Sequence, residues 1–265
     1  MPNSTTRLNR NYEYLGGVLL LLLGWQLLSM RYNQVLVPSP AETLQALVSL
    51  VESGELAENL LITFHRQLAG LAAGISIGMM SGLLAGCFRR LDLLVQPLIN
   101  FLLAVPAIIF VTMAMVWFGM GTTMTVFLVS LLVFPVIHTN AAEGLKAIDP
   151  ALLEMAEVYR LPPLLKVRKI YLPGMRHALI AGFSLAMASS VRLTVMAELL
   201  GAREGMGQRI AIARVYLETE RLFAWVLVLL VILISLEFLF IRPLKRWAGQ
   251  GQMEAGALTA RQDGF

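Results

Sequence analysis

Three stretches of this chain run without a single Asp, Glu, Lys or Arg: Tyr14 to Met30, Gln67 to Phe88 and Leu93 to Ala142. Two more are nearly as apolar, His177 to Ala202 with Arg192 and Glu198 embedded and Leu222 to Ile241 with Glu237 embedded. A helix needs about 20 mainly apolar residues to cross the roughly 30 Å of a bilayer's hydrocarbon. The stretch from Leu93 is long enough for two crossings, and Gly119-Met120-Gly121-Thr122-Thr123 is the natural break between them. The sequence therefore predicts six spans: Tyr14–Met30, a second ending at Phe88, about Pro97–Phe118, Met124–His138, Ala178–Leu200 and Leu222–Ile241. An all-α polytopic membrane protein is the class that follows. With 57% hydrophobic residues, 14% charged and a mean hydropathy of +0.72, the chain is too apolar for a soluble domain of this length.

Charge distribution sets the expected orientation. With the amino terminus inside, fourteen basic residues and all four Lys fall on the inner segments and six Arg on the outer ones. That bias puts both termini in the cytoplasm. The net charge of +4 then reflects topology, and no basic face interleaved with exposed aromatics argues for nucleic acid. The reading divides the chain into a cytoplasmic tail (1–13), a transmembrane domain (14–247) with a loop at 140–174, and a disordered cytoplasmic tail (248–265). The first apolar stretch follows Arg7 and Arg10 as a signal peptide would, but its exit, Ser29-Met30-Arg31-Tyr32, has no small-x-small cleavage site. It reads as a retained span. Cys87 is the only cysteine, so no disulfide within the chain is possible.

Several patterns lie inside the spans. Val37-Pro38-Ser39-Pro40 is a turn, followed by helical periodicity from Ala41 to Val51 that suits an interfacial helix. Gly70, Gly74, Gly78, Gly82 and Gly86 recur every fourth residue, a stripe that lets a second helix approach closely. It reads as packing within the subunit or as a sliding surface. Pro106 should kink the third span, and Pro135 lies in the fourth. Of the embedded ions, Glu198 and Glu237 fall within about a turn of opposite interfaces and read as reaching water. Arg192 lies roughly 21 Å from the cytoplasmic start of its span. It is either an anion contact on a translocation pathway or a structural ion, and Glu198 is the second candidate pathway residue. The two are about 120° apart on an ideal helix and should not pair.

The long polar interruption from Asn140 to Gly174 carries Lys146, Arg160, Lys166, Arg168 and Lys169, with Arg176 just beyond. Asp149-Pro150 is a helix start, since the carboxylate caps free amides and Pro is tolerated at the first position. Leu152, Met155, Ala156 and Tyr159 recur at helical spacing, with Glu154 and Glu157 on another face. Pro162-Pro163 should stop this helix, and a second run, Leu164 to Tyr171, should end at Pro173-Gly174.

Glu154-Met155-Ala156, Arg160 and Ile170-Tyr171-Leu172-Pro173 resemble, in spacing throughout, the EAA loop of binding-protein-dependent ABC importer permeases. Met155 stands where that pattern has Ala and Arg160 where it has Gly, the residue that most easily takes a left-handed turn. Ala197-Glu198-Leu199-Leu200-Gly201, Gly205-Met206-Gly207 and the Val37-Pro38-Ser39-Pro40 turn resemble the nitrate, taurine, sulfonate and bicarbonate branch. The resemblance implies the type I permease fold with six helices, a second permease copy forming a homodimer, two ABC ATPase subunits that bind ATP and Mg, and an external solute-binding protein. It places the chain in a bacterial inner membrane and implies coupling to the ATPase through Glu154, Met155, Ala156, Glu157, Tyr159, Arg160, Leu172 and Pro173. The alternatives are a secondary transporter or channel working alone, or a non-transporting scaffold.

Catalytic motifs are missing. No GxxxxGK occurs, so the chain has no P-loop. His65, His138 and His177 are scattered without an HExxH, and no Gly-x-Ser-x-Gly elbow is present. The methionines, Met113, Met115, Met120 and Met124 among them, read as packing filler rather than a copper path. A non-catalytic subunit is expected.

Overall fold

The computed structural model describes residues 4–33 and 36–245, with side chains from residue 16 onward. The tail expected to be disordered, 248–265, lies outside the described residues.

Among the described residues, eleven α-helices follow in order: α1 Ser4–Arg31, α2 Pro40–Glu52, α3 Glu55–Cys87, α4 Arg89–Ala104, α5 Ala107–Phe118, α6 Thr122–Lys146, α7 Pro150–Val158, α8 Pro163–Lys166, α9 Leu172–Gly201, α10 Met206–Val215 and α11 Thr219–Leu236. Among the described residues, four helical runs are long and apolar enough to span a membrane: Glu55–Cys87, Thr122–Lys146, Pro163–Gly201 and Thr219–Lys245. Among the residues whose side chains are described, α1 contributes the apolar stretch Gly16–Arg31. The predicted interfacial helix is α2. Ser39 caps it in a reciprocal capping box with Glu42, and Pro40 occupies its first turn.

The third predicted span is not one kinked helix. α4 and α5 meet at 101° across Val105-Pro106. Pro lacks an amide and forces the preceding residue out of the α region, so the chain turns a corner there. Pro135, by contrast, is buried inside α6, which runs on without a break.

The core is a stack of α3, α6 and α9, and the glycine stripe builds its first seam. A Cβ at Gly70 would lie 2.6 Å from Val129, at Gly78 2.8 Å from Ile137, at Gly82 2.5 Å from the His138 carbonyl and at Gly86 2.7 Å from Leu145. Gly74 meets Val133 in the same way. The stripe is packing within the subunit. Across it, Ser81 and His138 Nδ1 share a hydrogen bond of 2.9 Å. On the other side of α6, Gly144 and Gly182 seat Ala178 and Asn140, which brings α9 close.

α10 and α11 close the end of the stack away from α7, where Leu50, Met206, Ile210 and Trp225 form a buried cluster. α1 is held there by Trp25, which donates to the Pro38 carbonyl at 2.9 Å and stacks on Phe223 at 5.6 Å. Leu19 to Leu23 of α1 remain exposed, as a lipid-facing surface requires.

Candidate coupling loop and buried polar cluster

The segment after α6 folds into a short capped helix wedged under the base of α9. Asp149 accepts from the Ala151 amide at 2.9 Å and Pro150 takes the first turn. The helix ends after Val158 in a Schellman turn: the Leu161 amide donates to the Ala156 carbonyl at 2.9 Å and the Arg160 amide to Glu157 at 2.9 Å. This turn needs a left-handed residue, and Arg160 supplies it with φ +48°. Arg160 thus takes the conformation that Gly would adopt freely, at a cost of about 1–2 kcal/mol.

The predicted apolar stripe divides between two faces. Ala156 is fully buried against Ile148, Ile170 and Met175, with Leu153 and Leu161 beside it. Leu152, Met155 and Tyr159 stay exposed, next to Val158, and so do Glu154 and Glu157. A small residue at 156 lets the helix lie flat on its support, and the larger apolar side chains are left for something else.

The second helical run does not end at Pro173-Gly174. α8 passes into a π turn, Val167–Tyr171, in which the Leu172 amide donates to the Val167 carbonyl, and α9 follows directly. The wider turn places Pro173 in the first turn of the restarted α-helix, where its missing amide is not needed. Loop and span are therefore one continuous piece, with Leu172 and Pro173 exposed at the joint.

At the opposite end of α9 lies a second polar constellation. Glu198, in the last turn of α9, is 1% exposed, so it does not reach water. One carboxylate oxygen accepts from Arg66 Nη1 at 2.9 Å. The other accepts from Thr63 Oγ1 at 2.8 Å and from the Gly207 amide at 3.1 Å. Thr63 in turn accepts from the Met206 amide at 2.9 Å, and Asn59 accepts from the Gly205 amide at 3.0 Å. Arg66, itself 4% exposed, also donates to Thr122 Oγ1 at 3.0 Å and to the Glu204 carbonyl at 2.7 Å. Gly205, at φ +103°, and Gly207 are required because a Cβ there would collide with the Glu198 carboxylate and the Val195 carbonyl. A buried ion pair must be closely matched to offset its desolvation, and here the carboxylate accepts three hydrogen bonds while the guanidinium donates three.

Sequence reasoning missed Arg66 and the acceptors Asn59 and Thr63. The available signal was a charged residue immediately preceding an apolar window, opposite a Glu at the end of another.

Arg192 is in different surroundings. It is exposed on α9, with Nε donating 3.3 Å back to the Ala188 carbonyl of its own helix. Glu237 also lies near a helix end, 43% exposed and 3.8 Å from Arg242.

A family model described as a binding-protein-dependent transport system inner membrane component matches residues 74–243. The chain belongs to this family. The permease is 28% identical over 228 residues to a Bacillus subtilis protein named as an aliphatic sulfonates transport permease, covering 84% of this chain and 83% of that one. It is 32% identical over 199 residues to the Escherichia coli protein of the same name, covering 75% and 73%. The Escherichia coli taurine transport system permease protein is 24% identical over 243 residues, with 88% of each chain covered. In fold, the permease is similar to a chain of an inward-facing methionine ABC transporter structure, with a TM-score of 0.56 and 19% identity, covering 71% of this chain and 92% of that one. The type I importer fold follows. The protein is a multi-pass inner-membrane permease subunit of an ABC importer, a transport component without catalysis of its own.

Proposed function

We propose that this permease carries a small anion of the sulfonate class, working as a homodimer with two ATPase subunits on its cytoplasmic side and a solute-binding protein outside. The observation that carries the coupling part of this reading is the continuity of the loop with α9. Ala156 is wedged against Ile148, Ile170 and Met175 at the foot of α9, and the chain runs from Pro163 to Gly201 without a break. A push on α7 therefore reaches the span that bears Arg192.

Leu152, Met155 and Tyr159 form the docking face for a groove on the ATPase, flanked by Glu154 and Glu157. Arg160 and Leu161 set the angle at which the helix meets its partner. Leu172 and Pro173 sit at the joint where that motion enters the span. ATP and Mg belong to the partner subunit. Their binding drives the permease between inward-open and outward-open states only to the extent that the two states bind nucleotide differently. Both termini then lie in the cytoplasm.

The anionic substrate is supported by two things: the names of the sulfonate and taurine relatives, and an Arg exposed within a span. A cation there is costly in lipid and is expected to face water or protein. Glu198, saturated by Arg66, Thr63 and Gly207, is better suited to holding the outer end of that pathway in shape than to meeting solute.

The test is deletion of Ala151 to Tyr159, or Glu154→Lys, in the complex reconstituted into vesicles. ATP-dependent uptake should be lost while membrane insertion persists. Unchanged uptake in the deletion would remove the coupling role.

A further inference from the structure

The inner half of α9 is not sealed by the other described residues. A cleft of about 530 Å³ separates it from the end of the α11 run, with Leu172, Leu179, Ile180, Phe183 and Leu244 in its wall and, among the described residues, Arg176 as its one charged lining residue. That volume suits a ligand-sized apolar body. Farther out, the same side of α9 continues through Ser190, Thr194 and Ala197, all buried. The opening is thus confined to the half nearest the coupling loop.

Charge says which apolar body fits. No acidic residue occurs between Glu157 and Glu198, whereas Lys166, Arg168, Lys169 and Arg176 all fall in that interval. Arg168 and Lys169 are exposed at the π turn, and Lys245 is exposed beside Leu244. A basic rim over an apolar wall at the cytoplasmic surface matches an anionic lipid. A second copy of the chain is the poorer occupant. Arg192, which the dimer pathway would claim, is nine residues from Phe183, roughly 180° around the helix.

We propose that this cleft is a binding site for an anionic phospholipid of the cytoplasmic leaflet, its acyl chain on the apolar wall and its phosphate at Arg176. The assignment rests on the cytoplasmic placement of the loop. Because the cleft flanks the joint between the coupling loop and α9, lipid there bears directly on the moving element.

Native mass spectrometry of the full-length permease, with its co-purifying subunits, in micelles doped with equal phosphatidylglycerol and phosphatidylcholine tests it. Phosphatidylglycerol should be retained preferentially, and Arg176→Gln should reduce that preference about fivefold. Arg214→Gln, exposed at the opposite end of the molecule, should leave it unchanged. Leu179→Trp, which fills the cleft, should lower retention of both lipids. Equal retention of the two lipids by the unaltered chain, or an unchanged preference in Arg176→Gln, would overturn the site. So would phosphatidylglycerol binding that appears only after removal of 248–265, since the tail would then be the occupant. The coupling deletion above should still retain lipid, so the two readings fail separately.

Discussion

Arg66 and Glu198 are 132 residues apart in the chain and 2.9 Å apart in space. Neither position is informative alone, since a charge at the edge of an apolar stretch usually reaches water. Together they close a network that ties the α9–α10 turn to α3. Replacing Glu198 by Ala leaves Arg66 buried and uncompensated, which should cost about 3–5 kcal/mol. The double change Arg66→Met with Glu198→Leu should recover much of that loss. Thermal unfolding of the detergent-solubilised permease checks both, and additive losses in the double variant would show that the two side chains do not act as a pair. Arg160 teaches a related lesson: the sequence departs from its family pattern there, yet the backbone keeps the left-handed turn that the pattern demands.

Among the elements, the glycine stripe of α3 was visible as a repeat, but its meaning depended on what it faced. With Val129, Val133, Ile137, Ala141 and Leu145 of α6 pressed against it, the seam has no room for a side chain. Gly82→Leu would meet the His138 backbone, which cannot rotate away. Overpacking of this kind costs about 1–3 kcal/mol or more. The variant should therefore be recovered in the membrane in reduced, aggregation-prone form by fluorescence-detected size exclusion. A monodisperse peak of unchanged melting temperature would mean that α3 and α6 are free to separate. The corner between α4 and α5 and the π turn before α9 were less legible. Proline marked both places, but whether a proline kinks, breaks or is absorbed depends on which neighbours take up the freed backbone groups.

For the whole molecule, the exposed faces matter most, because they are where the subunit meets lipid and, in the proposed assembly, a second copy and the solute. Arg192 lies on such a face. Arg192→Ala should lower uptake of an anionic substrate about tenfold, the loss of one charge-assisted hydrogen bond, with Arg192→Lys in between. Assembly with the ATPase should be unaffected. Normal uptake kinetics in Arg192→Ala would return the residue to a structural role.

The sequence by itself determined that the chain spans a membrane, where most of its apolar helices fall, and the spacing of the loop that links the fourth and fifth predicted spans. These are properties of local hydropathy and local geometry, and a bilayer leaves a backbone few alternatives to helix. Tertiary structure alone decided that Ala156 turns inward while Met155 turns out, that Glu198 is gripped rather than solvated, and that α4 and α5 turn a corner. Each of those depends on atoms brought together from distant parts of the chain, and burial and pairing of that kind have no periodic signature to read.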